Sequence, residues 1–223
     1  MLEGMSDFFE NRIDGYDEHM MRDIEFADEF YPYTASCLPS ASGCRVLDLG
    51  CGTGIELEFY FELNPTAKLV GIDLCEAMLS RLAEKLHNRD IELILGSYFD
   101  LPFGDGIYDA AVSIESLHHF TKEEKTALYK KLHSALKDNG YFILTDYFAF
   151  SDEEEMFHRQ SLAALKKEQG ITDNGFYHYD TPLTVAHETE ALLDAGFTSV
   201  EVLKSWGATY TLKAIKGKNA NKT

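Results

Sequence analysis

The sequence predicts an α/β fold in which helices cover both faces of a largely parallel sheet. Three observations carry that reading. From residue 45 onward, short apolar runs alternate with amphipathic stretches. A glycine-rich turn, Gly50-Cys-Gly52-Thr-Gly54, joins the first apolar run to the first amphipathic one. The rhythm then breaks near the C-terminus, where two apolar runs lie close together with only a short turn between them.

The elements follow in order. Residues 6 to 36 read as a helical lead, with Phe9, Ile13, Tyr16, Met20, Ile24 and Ala27 at three- and four-residue steps. Pro39 and Ser40 to Gly43 punctuate it. Val46-Leu47 belongs to a first strand ending at Gly50, and a helix follows Gly54 and stops before Asn64-Pro65. Lys68 to Ile72 is a second strand, and Met78, Leu79, Leu82 and Leu86 mark one face of the next helix. Ile91 to Leu95 and Tyr108 to Ile114 are the third and fourth strands. Thr121 to Glu124 has capping-box spacing, with Leu128, Leu132, Ala135 and Leu136 continuing its helix to a stop at Asn139-Gly140. Tyr141 to Phe148 is the fifth strand. A second capping box, Ser151 to Glu154, opens a helix towards residue 168, and a loop from Gly170 to Thr181 follows. Thr181-Pro182 suits the start of a helix closed by Gly196. Thr198 to Leu203 and Thr209 to Ile215, joined through Trp206-Gly207, read as an antiparallel hairpin.

The expected organisation is a helical lead or cap over residues 1–40, a main α/β domain over 41–216 with an insertion at about 149–181, and a polar flexible tail over 217–223. A chain of 25.2 kDa exposes roughly 10,000 Å² when folded and has room for a proper core. An apolar share of 45% and an aromatic share of 13% exclude a disordered chain. The 38 acidic against 20 basic side chains leave a formal charge of −18, which argues against a nucleic-acid partner, since phosphate binding needs clustered Lys and Arg. Cys37, Cys44, Cys51 and Cys75 form no CxxC pair, which favours free thiols in a reducing compartment. No stretch approaches the roughly 20 apolar residues of a membrane span, and the N-terminus lacks the pattern of a signal peptide. A cytoplasmic protein with no membrane partner is expected; the oligomeric state is not legible.

The glycine turn carries the chemistry. Glycines at a strand-to-helix junction let the backbone approach a ligand, and the helix start offers free amides. A dinucleotide fingerprint, GxGxxG, needs glycine at position 55, where Ile55 stands. Asp48, two residues before the first glycine, would repel a pyrophosphate but suits an amino group or a sulfonium. Asp73 closes the second strand nineteen residues after Gly54, where a carboxylate can hold both ribose hydroxyls.

Val46-Leu-Asp-Leu-Gly-Cys-Gly-Thr-Gly54, Gly71-Ile-Asp73, Leu101-Pro-Phe103 and Leu117-His-His-Phe120 together resemble the class I S-adenosylmethionine-dependent methyltransferases over residues 44 to 216. The resemblance implies a Rossmann-like seven-stranded sheet of order 3-2-1-4-5-7-6 with strand 7 antiparallel. It implies S-adenosylmethionine as cofactor, with S-adenosylhomocysteine as product. Gly50, Cys51 and Gly52 would lie against the methionine part, Asp48 would help hold its amino group, and Asp73 would bind the ribose. Tyr16, next to Asp17, matches a Tyr-Asp pair common near the cofactor, and Leu74, Met78 and Ile114 complete the expected contacts. Where the family commonly has an aspartate for the adenine, this chain has Ser97 and Tyr98, leaving a hydroxyl and an amide for that ring.

Methyl transfer is an in-line displacement, so the protein must mainly position two reactants and exclude water. A base is needed only for an acceptor with a proton to lose. Glu115, His118 and His119, after the fourth strand, are the candidates, with His119 and Glu115 foremost. No metal is expected, because the histidines show no HExxH or comparable spacing. The acceptor is expected to be a small apolar or aromatic molecule, given the aromatics of the lead (Phe8, Phe9, Tyr16, Phe26, Phe30, Tyr31, Tyr33) and of the insertion (Phe150, Phe157, Phe176, Tyr177, Tyr179). Asn11 to Tyr16 and the layout after Asp146 are also similar to carboxy-S-adenosylmethionine synthases. That family holds the extra carboxylate with an arginine, and alignment on His187 puts Glu190 in its place, which favours the ordinary cofactor. The alternatives are therefore a carboxy-S-adenosylmethionine synthase-like enzyme and a non-catalytic cofactor-binding regulator. Within enzymes, an NAD-dependent oxidoreductase ranks lower because of Ile55 and Asp48.

Overall fold

The computed structural model describes residues 1–173 and 175–218, so the expected tail falls outside the described residues from position 219 on. The lead is three short helices rather than one: α1 (Met5–Glu10), α2 (Tyr16–Asp23) and α3 (Ala27–Ser36). The apolar periodicity runs through 6–36, but the backbone does not. Gly15 (φ +81°) and Phe26 (φ +64°) adopt left-handed conformations that an α-helix cannot pass through.

The sheet and its helices follow as β1 (Arg45–Leu49), α4 (Ile55–Leu63), β2 (Lys68–Asp73), α5 (Glu76–Lys85), β3 (Asp90–Leu95), β4 (Tyr108–Ile114), α6 (Lys122–Ala135), β5 (Leu136–Tyr147), α7 (Asp152–Glu168), α8 (Val185–Asp194), β6 (Ser199–Trp206) and β7 (Thr209–Ile215). The sheet has seven strands in the order β3-β2-β1-β4-β5-β7-β6. Strands β1 to β5 pair in parallel, and β7 runs antiparallel to both β5 and β6. This is the Rossmann-like arrangement that the resemblance implied.

Alternation along the central strands divides the core in two. Leu47, Leu49, Phe142 and Leu144 face one layer with Leu128, Leu132, Ala191 and Leu192. Val46 and Ile143 face the other with Phe30, Leu57, Phe61 and Leu82. Within the first layer Lys125 and Glu188 form a fully buried ion pair at 2.6 Å, and the Tyr129 hydroxyl donates to the same carboxylate. The loop after β3 is organised by Lys131 of α6, whose ammonium donates to the carbonyls of Tyr98, Phe99 (2.8 Å) and Leu101 (2.9 Å).

Helix ends depart from the sequence reading in three places. Helix α6 stops at Ala135 and passes directly into β5, so Asn139-Gly140 lies within that strand; Asn139 takes φ +61° beside a register shift in the β4–β5 pairing. Helix α8 begins at Val185, capped by Thr184 rather than Thr181, because the Thr184 Oγ1 accepts from the His187 amide and Leu183 is drawn into the core. The second capping box is half formed: Ser151 Oγ accepts from Glu154, while the Glu154 carboxylate turns to the Phe150 amide. The box at Thr121 and Glu124 is complete. Among the described residues no helix is long and apolar enough to cross a membrane.

Candidate active site

The end of β1 and the start of α4 form the floor. Gly50 and Cys51 amides both donate to the Ile72 carbonyl at the end of β2 (2.8 and 3.2 Å), which pins the loop to the neighbouring strand. Gly50 takes φ +75°, and a Cβ there would lie 2.1 Å from Ser116 Oγ, so the turn after β4 packs directly on the loop backbone. The Asp73 carboxylate is tied on both sides, accepting from the Gly52 amide through Oδ2 and the Cys75 amide through Oδ1, each at 2.8 Å. Burial raises the Asp73 carboxyl above its ordinary pKa while these amides oppose the shift.

Asp48 is buried and its Oδ2 has no donor within reach. Burial comes first and the Glu56 carboxyl second in driving its pKa up, and burial raises Glu56 as well. Two carboxyls so placed are compatible only if one keeps its proton. An orphaned carboxylate oxygen behind a left-handed glycine loop, with Asp73 at the next strand end, fits a ligand bearing an amino group and a ribose.

Two adjoining cavities open above this floor. The smaller, about 70 Å³, is lined by Tyr16, Gly50, Gly52, Asp73, Leu74, Met78, Tyr98 and Ile114 among the expected contacts. Asp48, Cys51 and Ser97, also expected as contacts, are not on its wall; Ser97 Oγ accepts from the Phe99 amide and closes its own turn. The larger cavity, about 790 Å³, extends towards the lead, the insertion and the hairpin, with Phe8, Met20, Tyr147, His178, Trp206 and Thr209 on its wall. Phe9, Tyr16, Glu115 and His119 border both. The other aromatics of the cap segments divide differently: Phe30 and Tyr31 belong to the core, while Phe150 and Phe157 are exposed.

Glu115 sits at the junction with φ +47°, a left-handed conformation that costs a non-glycine residue on the order of 1 kcal/mol or more. Burial first, and Asp146 second, raise its carboxyl to about 8. His118 is held from behind: its Nδ1 meets Asp146 Oδ1 at 2.5 Å, and Asp146 Oδ2 accepts from the Leu117 amide. Burial opposes the charged imidazole, but Asp146 and then Asp180 outweigh it and raise the His118 pKa well above the ordinary value. His119 moves the other way, lowered by burial and by the charge on His118, so it is neutral. Asp180 of the insertion reaches both rings, 3.4 Å from His118 Nε2 and 3.3 Å from His119 Nδ1. His178 is stacked on Phe8 at 3.5 Å between centroids and lies 4.9 Å from the His119 ring.

Glu115, His118 and His119, named from the sequence, lie together with Asp146, His178 and Asp180, which the sequence reading did not single out. The available signal was an acid ending the apolar run Phe142 to Thr145, and the His178-Tyr-Asp180 triplet in a loop otherwise read as a connection. Glu190, weighed as a ligand-facing residue, is on the surface of α8 and pairs with Lys122 at 2.6 Å, away from both cavities.

A family model described as a methyltransferase domain matches residues 46–140. The chain is 30% identical over 233 residues to a carboxy-S-adenosyl-L-methionine synthase from Wolinella succinogenes, covering 94% of this chain and 93% of that protein. Among solved structures, human N-acetylserotonin methyltransferase in complex with S-adenosylmethionine superposes with a TM-score of 0.66 at 15% identity, over 96% of this chain and 57% of that one. An S-adenosylmethionine-dependent methyltransferase from Mesorhizobium loti superposes with a TM-score of 0.59 at 21% identity, over 82% of this chain and 96% of that one.

Proposed function

Because this chain belongs to the class I S-adenosylmethionine-dependent methyltransferases, we propose that it transfers the methyl group of that cofactor to a small molecule seated in the larger cavity, within the cytoplasm. The observation that supports this reading is the shared wall. Phe9, Tyr16, Glu115 and His119 border both cavities, so a donor on the glycine loop and an acceptor beyond it meet at one place. The cofactor supplies an electrophilic methyl on a sulfonium; the chain's own residues do the holding.

Asp73 receives the ribose hydroxyls, and Asp48, whose Oδ2 is buried without a partner, answers the amino group through the loop. Met78, Leu74 and Tyr98 enclose the base from the side of β3. The smaller cavity, about 70 Å³, is below the ~300 Å³ at which small-molecule sites begin, so the methionine end extends into the larger space. There Phe9 and Tyr16 of the lead exclude water and orient the acceptor. Glu115 and the neutral His119 stand where an acceptor's proton would leave. Asp14, Glu25 and Asp180 outnumber the one permanent cation of that wall, Arg12, which is already tied to Glu3 at 2.8 Å. Such a field suits a sulfonium and an uncharged or cationic acceptor.

Calorimetry tests the reading. S-adenosylhomocysteine is expected to bind at micromolar affinity or tighter, and Asp73→Ala to weaken it at least 100-fold, because two hydrogen bonds to a carboxylate are lost at about 1.5–3 kcal/mol each. Tight NADH binding with no response to S-adenosylhomocysteine would sink the assignment. A labelled methyl donor offered with a metabolite panel then identifies the acceptor.

A carboxy-S-adenosylmethionine synthase-like activity is the second reading, supported by the near full-length similarity to the Wolinella succinogenes enzyme. The argument from Glu190 against it falls, since that side chain faces Lys122. Mass spectrometry of the nucleoside product separates the two, as S-adenosylhomocysteine or a carboxylated cofactor.

A further inference from the structure

The larger cavity contains a group of side chains that holding the cofactor does not use, and one of them, His119, leaves the acceptor's proton to Glu115 when it serves as a ligand. We propose that His118, His119 and Asp180 bind a single divalent transition-metal ion, of the zinc class, which faces the larger cavity and takes an oxygen ligand from the acceptor. The role rests on the proposed methyl transfer; the binding itself does not.

Distances support it first. Asp180 Oδ1 is 3.4 Å from His118 Nε2 and 3.3 Å from His119 Nδ1, and the three donors lie within 4.8 Å of one another. A tetrahedral ion with bonds of about 2.1 Å holds neighbouring donors about 3.4 Å apart. Closing the widest pair therefore takes a relative side-chain movement of at most about 1.4 Å. The Tyr179 carbonyl, 3.1 Å from His119 Nδ1, is a further oxygen at the same corner.

Orientation supports it second. A metal-bound histidine usually gives its other ring nitrogen to a carboxylate, which fixes the ring and raises its basicity. Asp146 does this for His118 at 2.5 Å, and Asp146 is itself held by the Leu117 amide at 3.0 Å. The Nε2 edge is thereby turned towards Asp180 and the cavity. Binding would displace the His118 Nε2 proton to solvent and shift the His119 proton from Nδ1, where the Tyr179 carbonyl accepts it, to Nε2. The nature of the donors sets the ion: two imidazoles and one carboxylate suit zinc, manganese, cobalt or iron(II), whereas magnesium and calcium prefer all-oxygen sites.

Charge supports it third. The wall carries more carboxylates than permanent cations, and an ion would supply the positive charge needed to hold a hydroxyl or carbonyl oxygen of an uncharged acceptor beside the donor. The spacing search along the sequence could not find this site, because one ligand comes from the insertion, more than sixty residues after the other two.

The test is equilibrium dialysis of the tag-free, chelator-stripped full chain against Zn²⁺, with elemental analysis, followed by Co²⁺ titration read in the visible spectrum. One Zn²⁺ per chain is expected, with affinity at least tenfold lower in Asp180→Asn and in His118→Ala. Asp146→Asn, a change to a positioning residue, is expected to cost 10- to 100-fold. Asp180→Asn keeps the side-chain shape, so a folded variant is at hand if His118→Ala melts early. Wild-type retention of Zn²⁺ no greater than that of Asp180→Asn, or preference for Mg²⁺ over Zn²⁺, would overturn the inference. S-adenosylhomocysteine calorimetry on the same samples reports the donor site separately: its failure with zinc binding intact would remove the methyl-transfer reading and leave the metal site standing.

Discussion

Replacing Gly50 by alanine puts the close packing of the glycine loop to a quantitative test. The new Cβ would lie 2.1 Å from Ser116 Oγ and 2.7 Å from Ser116 Cβ. Rotation about χ1 can move the oxygen away, but the Cβ is fixed to the backbone, so the two chain segments must separate. The left-handed φ of +75° adds about 1–2 kcal/mol for an L-residue, and inserting a methyl into a packed contact adds about 1–3 kcal/mol. Together these predict a loss of about 2–5 kcal/mol. With a urea slope of about 3 kcal/mol/M for a chain of this size, the midpoint should fall by about 0.7–1.7 M. Equilibrium urea unfolding by circular dichroism measures it, and a double-mutant cycle with Ser116→Gly separates the two causes. In the Ser116→Gly background only the φ cost of about 1–2 kcal/mol should remain. Equal losses in both backgrounds would refute the clash, and a loss under about 1 kcal/mol in wild type would refute both arguments.

Other expectations are as direct. Glu188→Ala leaves Lys125 charged and unpaired in the core and should cost about 3–5 kcal/mol, whereas Lys125→Met with Glu188→Leu should recover most of it; both are read by urea unfolding. Thr121→Ala removes the cap of α6 at about 0.5–2 kcal/mol, which a melting-temperature series with Thr121→Ser and Thr121→Asp checks. Asp48 and Glu56 are raised by burial, so the folded chain holds their protons more tightly than the unfolded one. Their contribution to stability is complete below the unfolded carboxylate range of about 4 and is lost as pH rises through the raised folded values. Urea midpoints at pH 5 and pH 8 should differ less in Asp48→Asn than in wild type, and an unchanged difference would exclude Asp48 as the source.

Most of the fold was legible because it rests on local signals. Apolar runs at Leu69 to Ile72 and Tyr141 to Phe148, the Thr121 capping box, and the closing hairpin each declare themselves within a few residues. The glycine-loop floor was legible for the same reason, since Asp48, the glycines and Asp73 occupy fixed positions on a strand-turn-helix-strand unit. What escaped depends on contacts across the chain. Nothing in the sequence around Phe26 demands a left-handed residue. Thr181 and Thr184 are equally good caps until Leu183 is seen buried and the Thr184 amide bonded to Glu155 at 2.8 Å. The histidine-acid cluster is assembled from the ends of β4 and β5 and from the insertion, so its residues acquire meaning only when the sheet order places them together.

The lysine that gathers three carbonyls after β3 has a consequence for how this chain tolerates change. Its acceptors are Tyr98, Phe99 and Leu101 main-chain oxygens, which every amino acid possesses. The shape of that loop is therefore stored in α6, some thirty positions away, and is indifferent to which side chains the loop carries. Side chains of that loop can be exchanged without redrawing its backbone. Lys131 itself has no such latitude: acetylation or replacement by methionine would release all three carbonyls at once. Variation is thus cheap in the loop and concentrated in cost at a single distant position.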